Sequence, residues 1–198
     1  MWLKICGMTS AASVDAALNC GVDAIGFVFA PSVRRLTPAR AAQLAAPARG
    51  RLARVAVCLH PTQAEVEQIV QQFEPDMLQT DLDDFAGLKL PATLERLPVL
   101  RAGSALRPPW PARLVFEGPR SGTGQTADWA QAATLAAQTS LILAGGLTAD
   151  NVATAIRAVR PAGVDTSSGV ESAPGIKSAA LMAEFVSAAR AAFVEYSK

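Results

Sequence analysis

The sequence predicts an α/β protein with the (β/α)8 architecture of a TIM barrel, formed by a single domain over residues 1–198. Eight short apolar runs recur along the chain, and most precede an alanine-rich stretch with helical spacing of its apolar residues. The runs are continuously apolar rather than alternating, which is typical of parallel strands covered by helices. A flavodoxin-like or Rossmann sheet normally stops at five or six strands, so eight units favour a closed barrel.

The first four strand candidates are residues 2–6, 23–29, 52–59 and 75–80. The first helix is expected to end at Gly21, a natural C-cap. Thr37 can cap the second helix, with Pro38 at its first helical position. A third helix is predicted over residues 62–73, whereas residues 83–90, after the fourth strand, form only a weak helix candidate.

The last four strand candidates are residues 97–102, 113–117, 140–146 and 162–168. Helices are predicted after the last three of them, over residues 128–138, 148–159 and 177–196. The fifth strand differs, because Pro108, Pro109 and Pro111 follow it and forbid a regular helix. The helix of this unit is therefore predicted to be trimmed or irregular.

Composition narrows the classes of function. A formal net charge of +1 gives no long-range attraction to nucleic acid or to an anionic membrane, so neither is expected as a partner. No apolar run reaches the length of a transmembrane helix, and the first residues lack a signal-peptide pattern. Three cysteines without metal-ligand spacing fit a reducing, cytoplasmic location. The single histidine, His60, argues against a serine-histidine hydrolase and a multi-histidine zinc site.

Active sites of TIM barrels lie at the carboxyl ends of the strands, so the residues after each strand are the candidates. Gly145 and Gly146 follow the seventh strand, and Ser168 and Gly169 follow the eighth. Loops of this kind let backbone N–H groups converge on an anion beside a helix N-terminus. These four residues are predicted to bind phosphate, and a tight turn with an ordinary helix cap is the alternative.

Five motifs occur in order from the first strand to the eighth helix: KICGMT, FVFAPSVRRLTP, SGTGQTADW, LILAGGLTADNV and GVDTSSGVESAPGIK. Together they resemble the signatures of the phosphoribosylanthranilate isomerase family. The resemblance implies a (β/α)8 barrel of tryptophan biosynthesis. It also implies an Amadori rearrangement of N-(5′-phosphoribosyl)anthranilate to 1-(2-carboxyphenylamino)-1-deoxyribulose 5-phosphate. No metal or other cofactor is expected, and the expected partner is this small phosphorylated substrate.

The resemblance also implies residue roles. Cys6 matches the family's general base, and a cationic mouth is expected to help its thiol ionise. Glu117 stands where the family usually has an aspartate general acid, so Asp165 or Asp81 remains an alternative acid. Arg34 matches the arginine expected to pair with the anthranilate carboxylate. Asp165 is expected to contact ribose hydroxyls or to orient the site. Lys4, two residues before Cys6 on the same strand face, is a further candidate: it is either a cation inside the barrel or a side chain that extends outward.

Several positions depart from the family pattern or carry other interpretations. The fourth strand ends in LQTD instead of a His-Gly pair, and His60 is interpreted as a rim or packing residue. Cys20 and Cys58 are interpreted as structural. Ser121–Gly124 are predicted to form a loop that closes over substrate. Gly7 is expected to leave room beside the reacting carbon.

Other functions remain open at this point. A relative of indole-glycerol-phosphate synthase lacks its expected lysine and glutamate set here, and a sugar-phosphate epimerase lacks its metal-binding histidines. A non-catalytic or divergent phosphosugar-binding barrel is the alternative of a different class. Monomer and homodimer are both compatible with a barrel of this size.

Overall fold

The computed structural model of the chain describes residues 1–104, 108–118 and 128–196. Eight parallel strands, each hydrogen-bonded to the next in chain order, close into a barrel as β8 pairs with β1. The strands are β1 Trp2–Cys6, β2 Ala24–Val28, β3 Ala53–Val57, β4 Met77–Asp81, β5 Glu95–Arg101, β6 Arg113–Glu117, β7 Ser140–Leu143 and β8 Gly163–Thr166. The predicted barrel is confirmed, and each predicted strand overlaps an observed one.

Helices cover the outside of this barrel. In the described part of the chain they are α1 Ala11–Cys20, α2 Pro38–Ala45, α3 Gln63–Phe73, α4 Trp129–Ala136, α5 Ala149–Val159 and α6 Ala179–Tyr196. The predicted end signals operate as expected: Gly21 caps α1 in the left-handed conformation, with a φ of 66°, and the Thr37 side chain accepts from Arg40 N before α2.

The units after β4 and β5 lack an α-helix in their described residues. The weak candidate after β4 is a short 3-10 helix, Leu82–Ala86. Residues 102–104 and 108–112 contain no helix, which agrees with the predicted irregular unit. The predicted closing loop, Ser121–Gly124, lies outside the described residues.

The connection after β8 contains structure that the sequence reading missed. A short 3-10 helix, Ser168–Val170, leads into an antiparallel hairpin formed by β9 Glu171–Ala173 and β10 Ile176–Lys177. Gly175, with a φ of 81°, makes the turn between the two strands. The predicted start of the last helix at residue 177 is therefore wrong by two residues, because Lys177 belongs to the hairpin.

The interior of the barrel separates an apolar part from a polar one. Residues such as Val55, Leu97 and Val115 fill the inside of the barrel. On β1, however, Lys4 occupies a fully buried position and is in register with Asp165 on β8. Cys6 is two residues further along β1 and so points to the same face. The interior next to β1 and β8 is therefore polar at the carboxyl ends of the strands.

None of the helices within the described residues is long and apolar enough to span a membrane.

Candidate active site

All eight sequence-predicted site residues line one cavity at the carboxyl ends of the strands. The cavity has a volume of about 560 Å³, and every one of the eight βα units contributes to its wall. The predicted residues on its wall are Cys6, Arg34, Glu117, Gly145, Gly146, Asp165, Ser168 and Gly169. The closed barrel thus brings together side chains that lie up to 163 positions apart in the sequence.

Cys6 is the last residue of β1, and its side chain is buried beside two lysines. Burial raises the pKa of the Cys6 thiol, while the charges of Lys4 and Lys177 act to lower it and Asp165 acts to raise it. The expectation of an assisted thiolate is thus met only in part, because burial outweighs the cations. The lysines nevertheless supply positive charge that stabilises a thiolate when a proton leaves.

Gly26 on β2 provides the space that the thiol occupies. A Cβ atom at this position would lie 2.8 Å from Cys6 Sγ and 3.2 Å from Lys4 Cε. Real Cβ atoms do not approach sulfur this closely, so a side chain here would displace the thiol. The sequence analysis missed Gly26, although an isolated glycine within an apolar strand is a recognised sign of close approach.

Lys4 and Asp165 form a buried ion pair below Cys6. Lys4 Nζ donates to Asp165 Oδ2 at 2.7 Å, and the lysine side chain has no exposed surface. Burial acts to lower the pKa of Lys4, but the charges of Asp165 and Cys6 outweigh it, so the pKa is raised and the ammonium is retained. Asp165 Oδ1 is buried without a hydrogen-bond partner among the described residues. Its acceptor capacity is therefore unused within the described residues.

Glu117 is the last residue of β6, as predicted, and it lies across the barrel from β1. Arg101, at the end of β5, donates from Nη1 to Glu117 Oε1 at 2.6 Å. The same guanidinium donates from Nη2 to Asp81 Oδ1 at 2.7 Å and from Nε to both oxygens of Asp81. Glu117 therefore belongs to a three-residue cluster, Asp81–Arg101–Glu117, which the sequence analysis did not assemble.

Arg34 is held rigidly at the opposite side of the cavity. Its Nε and Nη2 atoms donate to the two carboxylate oxygens of Glu171, each at 2.7 Å. Lys177 Nζ also donates to Glu171 Oε1, at 2.7 Å. A bidentate pair of this kind fixes the plane of the guanidinium. The hairpin after β8 thus positions an arginine of the loop after β2.

Gly7 provides the space that the side-chain stem of Arg34 occupies. A Cβ on Gly7 would lie 2.5 Å from Arg34 Cδ, and the residue has a φ of 82°. The expectation that Gly7 leaves room beside the reacting carbon stays a prediction. Glycine is required here because the arginine stem crosses directly over the backbone.

The two predicted phosphate loops meet at the end of the cavity formed by β7 and β8. Gly145 and Gly146 have φ values of 92° and 64°, which favour glycine. Asn151 holds this loop, since its Nδ2 atom donates to Gly146 O at 2.8 Å. A Cβ on Gly169 would overlap Leu147 O, so the absence of a side chain allows the second loop to pack on the first.

The remaining polar groups divide between the cavity and its rim. Gln79, on β4, is buried on the cavity wall, and its Oε1 atom has no hydrogen-bond partner in the described part of the chain. His60 lies on the rim, as predicted, and its Nδ1 atom is 2.9 Å from Asp84 Oδ1. Asp84 raises the pKa of the exposed His60 ring through this hydrogen bond. Burial raises the pKa of Cys58 to about 12, which fits a structural thiol.

The functional residues missed by the sequence analysis are mainly the partners of those it identified. Glu171 and Lys177 stand inside the quoted GVDTSSGVESAPGIK motif, but no role was assigned to them. Opposite charges on either side of a Pro-Gly pair are a signal for a charged hairpin, and this signal was available. The contact of Glu171 with Arg34 spans 137 positions and was not readable from spacing.

Comparison with known proteins gives concordant results. A family model described as N-(5'phosphoribosyl)anthranilate (PRA) isomerase matches residues 3–188. The N-(5'-phosphoribosyl)anthranilate isomerase of Nitrobacter hamburgensis is 38% identical over 209 residues, covering 96% of this chain and 93% of that protein. The crystal structure of phosphoribosyl anthranilate isomerase from Thermus thermophilus has a TM-score of 0.84 at 28% identity, covering 96% and 99% of the two chains. TrpF from Jonesia denitrificans has a TM-score of 0.77 at 36% identity and covers 98% of each chain.

Proposed function

Because the chain belongs to the N-(5'-phosphoribosyl)anthranilate isomerase family, we propose that it converts N-(5′-phosphoribosyl)anthranilate to 1-(2-carboxyphenylamino)-1-deoxyribulose 5-phosphate. The reaction is an Amadori rearrangement, a step of tryptophan biosynthesis. One observation carries the proposal: a thiol and a carboxyl group end strands on opposite sides of a single cavity, and two glycine-containing loops lie between them.

Glu117 is the proposed general acid. It gives a proton to the furanose ring oxygen while the C1′–O bond breaks, and the nitrogen lone pair forms the C1′=N bond of the ring-opened, protonated imine. Proton donation at this position prevents a free alkoxide from leaving. The nine-tenths burial of Glu117 supports the role, because desolvation favours the protonated form of a carboxyl group.

Cys6 is the proposed general base. Its thiolate removes the C2′ proton, and the electron pair moves to form the C1′=C2′ bond of the enolamine while the C=N bond becomes a C–N bond. Loss of the enol proton and protonation at C1′ then give the ketone. The protons exchanged with Cys6 and Glu117 balance over the cycle, so no co-reactant is needed.

The ends of the substrate are proposed to bind at the two sides of the cavity. Gly145, Gly146, Ser168 and Gly169 provide backbone N–H groups for the phosphate. Arg34, held in place by Glu171, faces the anthranilate carboxylate. Asp165 Oδ1, which lacks a partner among the described residues, accepts from a ribose hydroxyl.

The proposed activity also implies a partner and a cellular location. The proposed partner is a small phosphorylated molecule, and the free state of Cys6, Cys20 and Cys58 supports a reducing cytoplasm. A monomer and a homodimer both remain compatible with the proposed activity.

Complementation of a tryptophan auxotroph that lacks this isomerase tests the proposal. The wild-type chain is expected to restore growth without tryptophan, and Cys6→Ala is expected to fail at equal expression. Cys20→Ala is the matched control, because Cys20 is a free thiol on α1, outside the cavity. Failure of the wild type, or full rescue by Cys6→Ala, contradicts the proposal. Binding of a product analogue without turnover would favour the non-catalytic phosphosugar-binding barrel.

A further inference from the structure

The Asp81–Arg101–Glu117 cluster joins three adjacent strands at the rim of the cavity. Arg101 and Glu117 are in register on β5 and β6, and Asp81 ends β4 on the other side of β5. The guanidinium makes its closest contacts at 2.6 Å to Glu117 and 2.7 Å to Asp81. All three side chains are at least three-quarters buried. The cluster is thus a fixed part of the mouth.

A guanidinium beside a general acid has two opposing effects. Its N–H groups orient the carboxyl group, which favours proton transfer toward a substrate placed in line with it. Its positive charge, however, stabilises the carboxylate, and a carboxylate has no proton to give. A general acid paired with one uncompensated arginine would therefore be well placed but ionised.

Asp81 offsets the positive charge of Arg101 through its contacts with the guanidinium. Three of the donor contacts of Arg101 run to Asp81, through Nε and Nη2. Burial acts to lower the pKa of Arg101, but hydrogen bonding to Asp81 and the charges of Glu117, Asp81 and Asp84 outweigh it and raise the pKa. The arginine is thus permanently charged, and Asp81 supplies a negative charge that offsets it.

Other ionisable groups share the cavity with Glu117. Within the described residues they are Cys6, Arg34, Cys58, His60, Asp81, Arg101 and Asp165. Arg34 is paired with Glu171, and Asp165 with Lys4, so each of these charges is compensated locally. His60 Nε2 lies 3.7 Å from Asp81 Oδ2, and its Nδ1 atom faces Asp84. Among the described residues, Asp81 is the carboxylate that Arg101 contacts most, so Asp81 is the main compensating charge there.

We propose that Arg101 and Asp81 are positioning residues for the general acid: Arg101 orients the Glu117 carboxyl group, and Asp81 neutralises Arg101 so that Glu117 retains a transferable proton. Oε1 of Glu117 accepts from Arg101 Nη1 at 2.6 Å, which fixes the orientation of the carboxyl group. The mechanistic meaning of this arrangement rests on the proposed isomerase function. The electrostatic coupling of the three side chains can be measured without turnover.

The test is a pH titration of the Glu117 side-chain carboxyl carbon by ¹³C NMR, with glutamate labelled at Cδ and the signal assigned by its loss in Glu117→Gln. Removing the compensating charge in Asp81→Asn is expected to lower the midpoint by about one pH unit or more. Removing the cation in Arg101→Gln is expected to raise the midpoint by a similar amount. The double variant should return to within about half a unit of wild type, because the local charge balance is restored.

Arg113→Gln is the matched control. Arg113 begins β6, at the end opposite Glu117, and it pairs with Glu95 on β5. This substitution should leave the Glu117 midpoint unchanged. Asp81→Glu keeps the charge and should also keep the midpoint. Shifts in the same direction for Asp81→Asn and Arg101→Gln, or no shift in either, overturn the proposal. The result does not depend on catalysis, so it is separable from a failure of the proposed function.

Turnover provides the second readout. Asp81→Asn should lower kcat at neutral pH by about tenfold with KM changed by less than about twofold, since the substrate contacts are retained. A purely structural role for Asp81 instead predicts a lower melting temperature with an unchanged Glu117 midpoint, and that result also overturns the proposal.

Discussion

At the scale of single residues, Glu117 is the position where this chain departs most informatively from the usual aspartate of its family. The extra methylene carries the carboxyl group to Arg101, with which it forms a 2.6 Å hydrogen bond. Glutamate and arginine thus form one unit, so a change at either position alters the other. The longer acid is accommodated because the neighbouring strand supplies a donor that fixes its end.

Replacing Glu117 with glutamine should remove the proton donor while preserving shape. We expect kcat to fall by about 10²–10⁴-fold and KM to change by less than about threefold, because general acid catalysis contributes rate and little substrate affinity. Steady-state kinetics with the purified variant measure both constants.

Glu117→Asp is the comparison variant for that experiment. It keeps the acid but withdraws it from Arg101, and a misplacement of about 1 Å can cost about a hundredfold in rate. Turnover between those of Glu117→Gln and wild type is therefore expected. Near-normal kcat in Glu117→Gln would remove Glu117 from the acid role.

Gly26 is the second residue with a defined structural requirement. In Gly26→Ala, the new methyl group meets Cys6 Sγ and Lys4 Cε, so the thiol must move. We expect kcat to fall at least about tenfold, and the free energy of unfolding to fall by about 1–3 kcal/mol from overpacking. Kinetics and urea denaturation measure the two effects.

Gly87→Ala is the control for that substitution, because the nearest heavy atom to a Cβ at Gly87 is 3.9 Å away. It should leave both quantities nearly unchanged. A Gly26→Ala protein with wild-type kcat would show that the thiol position does not limit the reaction.

At the scale of elements, the hairpin of β9 and β10 supports Arg34, the arginine proposed to bind the substrate. Its Glu171 carboxylate accepts from Arg34, Lys177 and the backbone of Gly175. Burial acts to raise the pKa of Glu171, but these hydrogen bonds and charges outweigh it and lower the pKa to about 2. The hairpin is thus fastened to the barrel by a carboxylate that must remain ionised.

This lowered pKa predicts how stability changes in acid. A carboxyl group with a depressed folded-state pKa stabilises the fold above its unfolded value of 4.5, and loses that contribution as the pH falls toward about 2. We expect Glu171 to account for a loss of at most about 2 kcal/mol over this window, allowing for solvent screening. Urea denaturation at several pH values between 5 and 3 gives the dependence.

In that experiment Glu171→Gln should be less stable at pH 7 and should show a shallower loss in acid. Glu195→Gln is the control, because its carboxylate is exposed and pairs with Arg157 at the surface. An acid dependence in Glu171→Gln as steep as that of the wild type would contradict the account.

Local signals explain which elements were predictable from the sequence. Gly21, Thr37 and Pro38 act within one helical turn of themselves, so the boundaries they set were readable. The hairpin was missed because its strands contain only three and two residues, too few for a periodic pattern. One of its main contacts is with Arg34, which belongs to a distant loop.

At the scale of the whole molecule, closure of the barrel brings residues that are distant in the sequence to one cavity. The strand-end positions of Cys6, Glu117 and the loops proposed to bind phosphate were predictable, because parallel strands place their carboxyl ends together. The pairs Lys4–Asp165 and Arg34–Glu171 were not, because each spans more than 130 positions and depends on strand register and loop path. The sequence therefore indicated the candidates, and the structure supplied their partners.

The central claim is that this chain isomerises N-(5′-phosphoribosyl)anthranilate with Cys6 as the base. The most direct measurement is conversion of that substrate by the purified protein, with the ketose product quantified by mass spectrometry for wild type and Cys6→Ala. We predict product formation by the wild type and a loss of at least about 10²-fold in Cys6→Ala, whose fold is checked by circular dichroism. No product from the wild type, or undiminished turnover by a folded Cys6→Ala protein, would contradict the account.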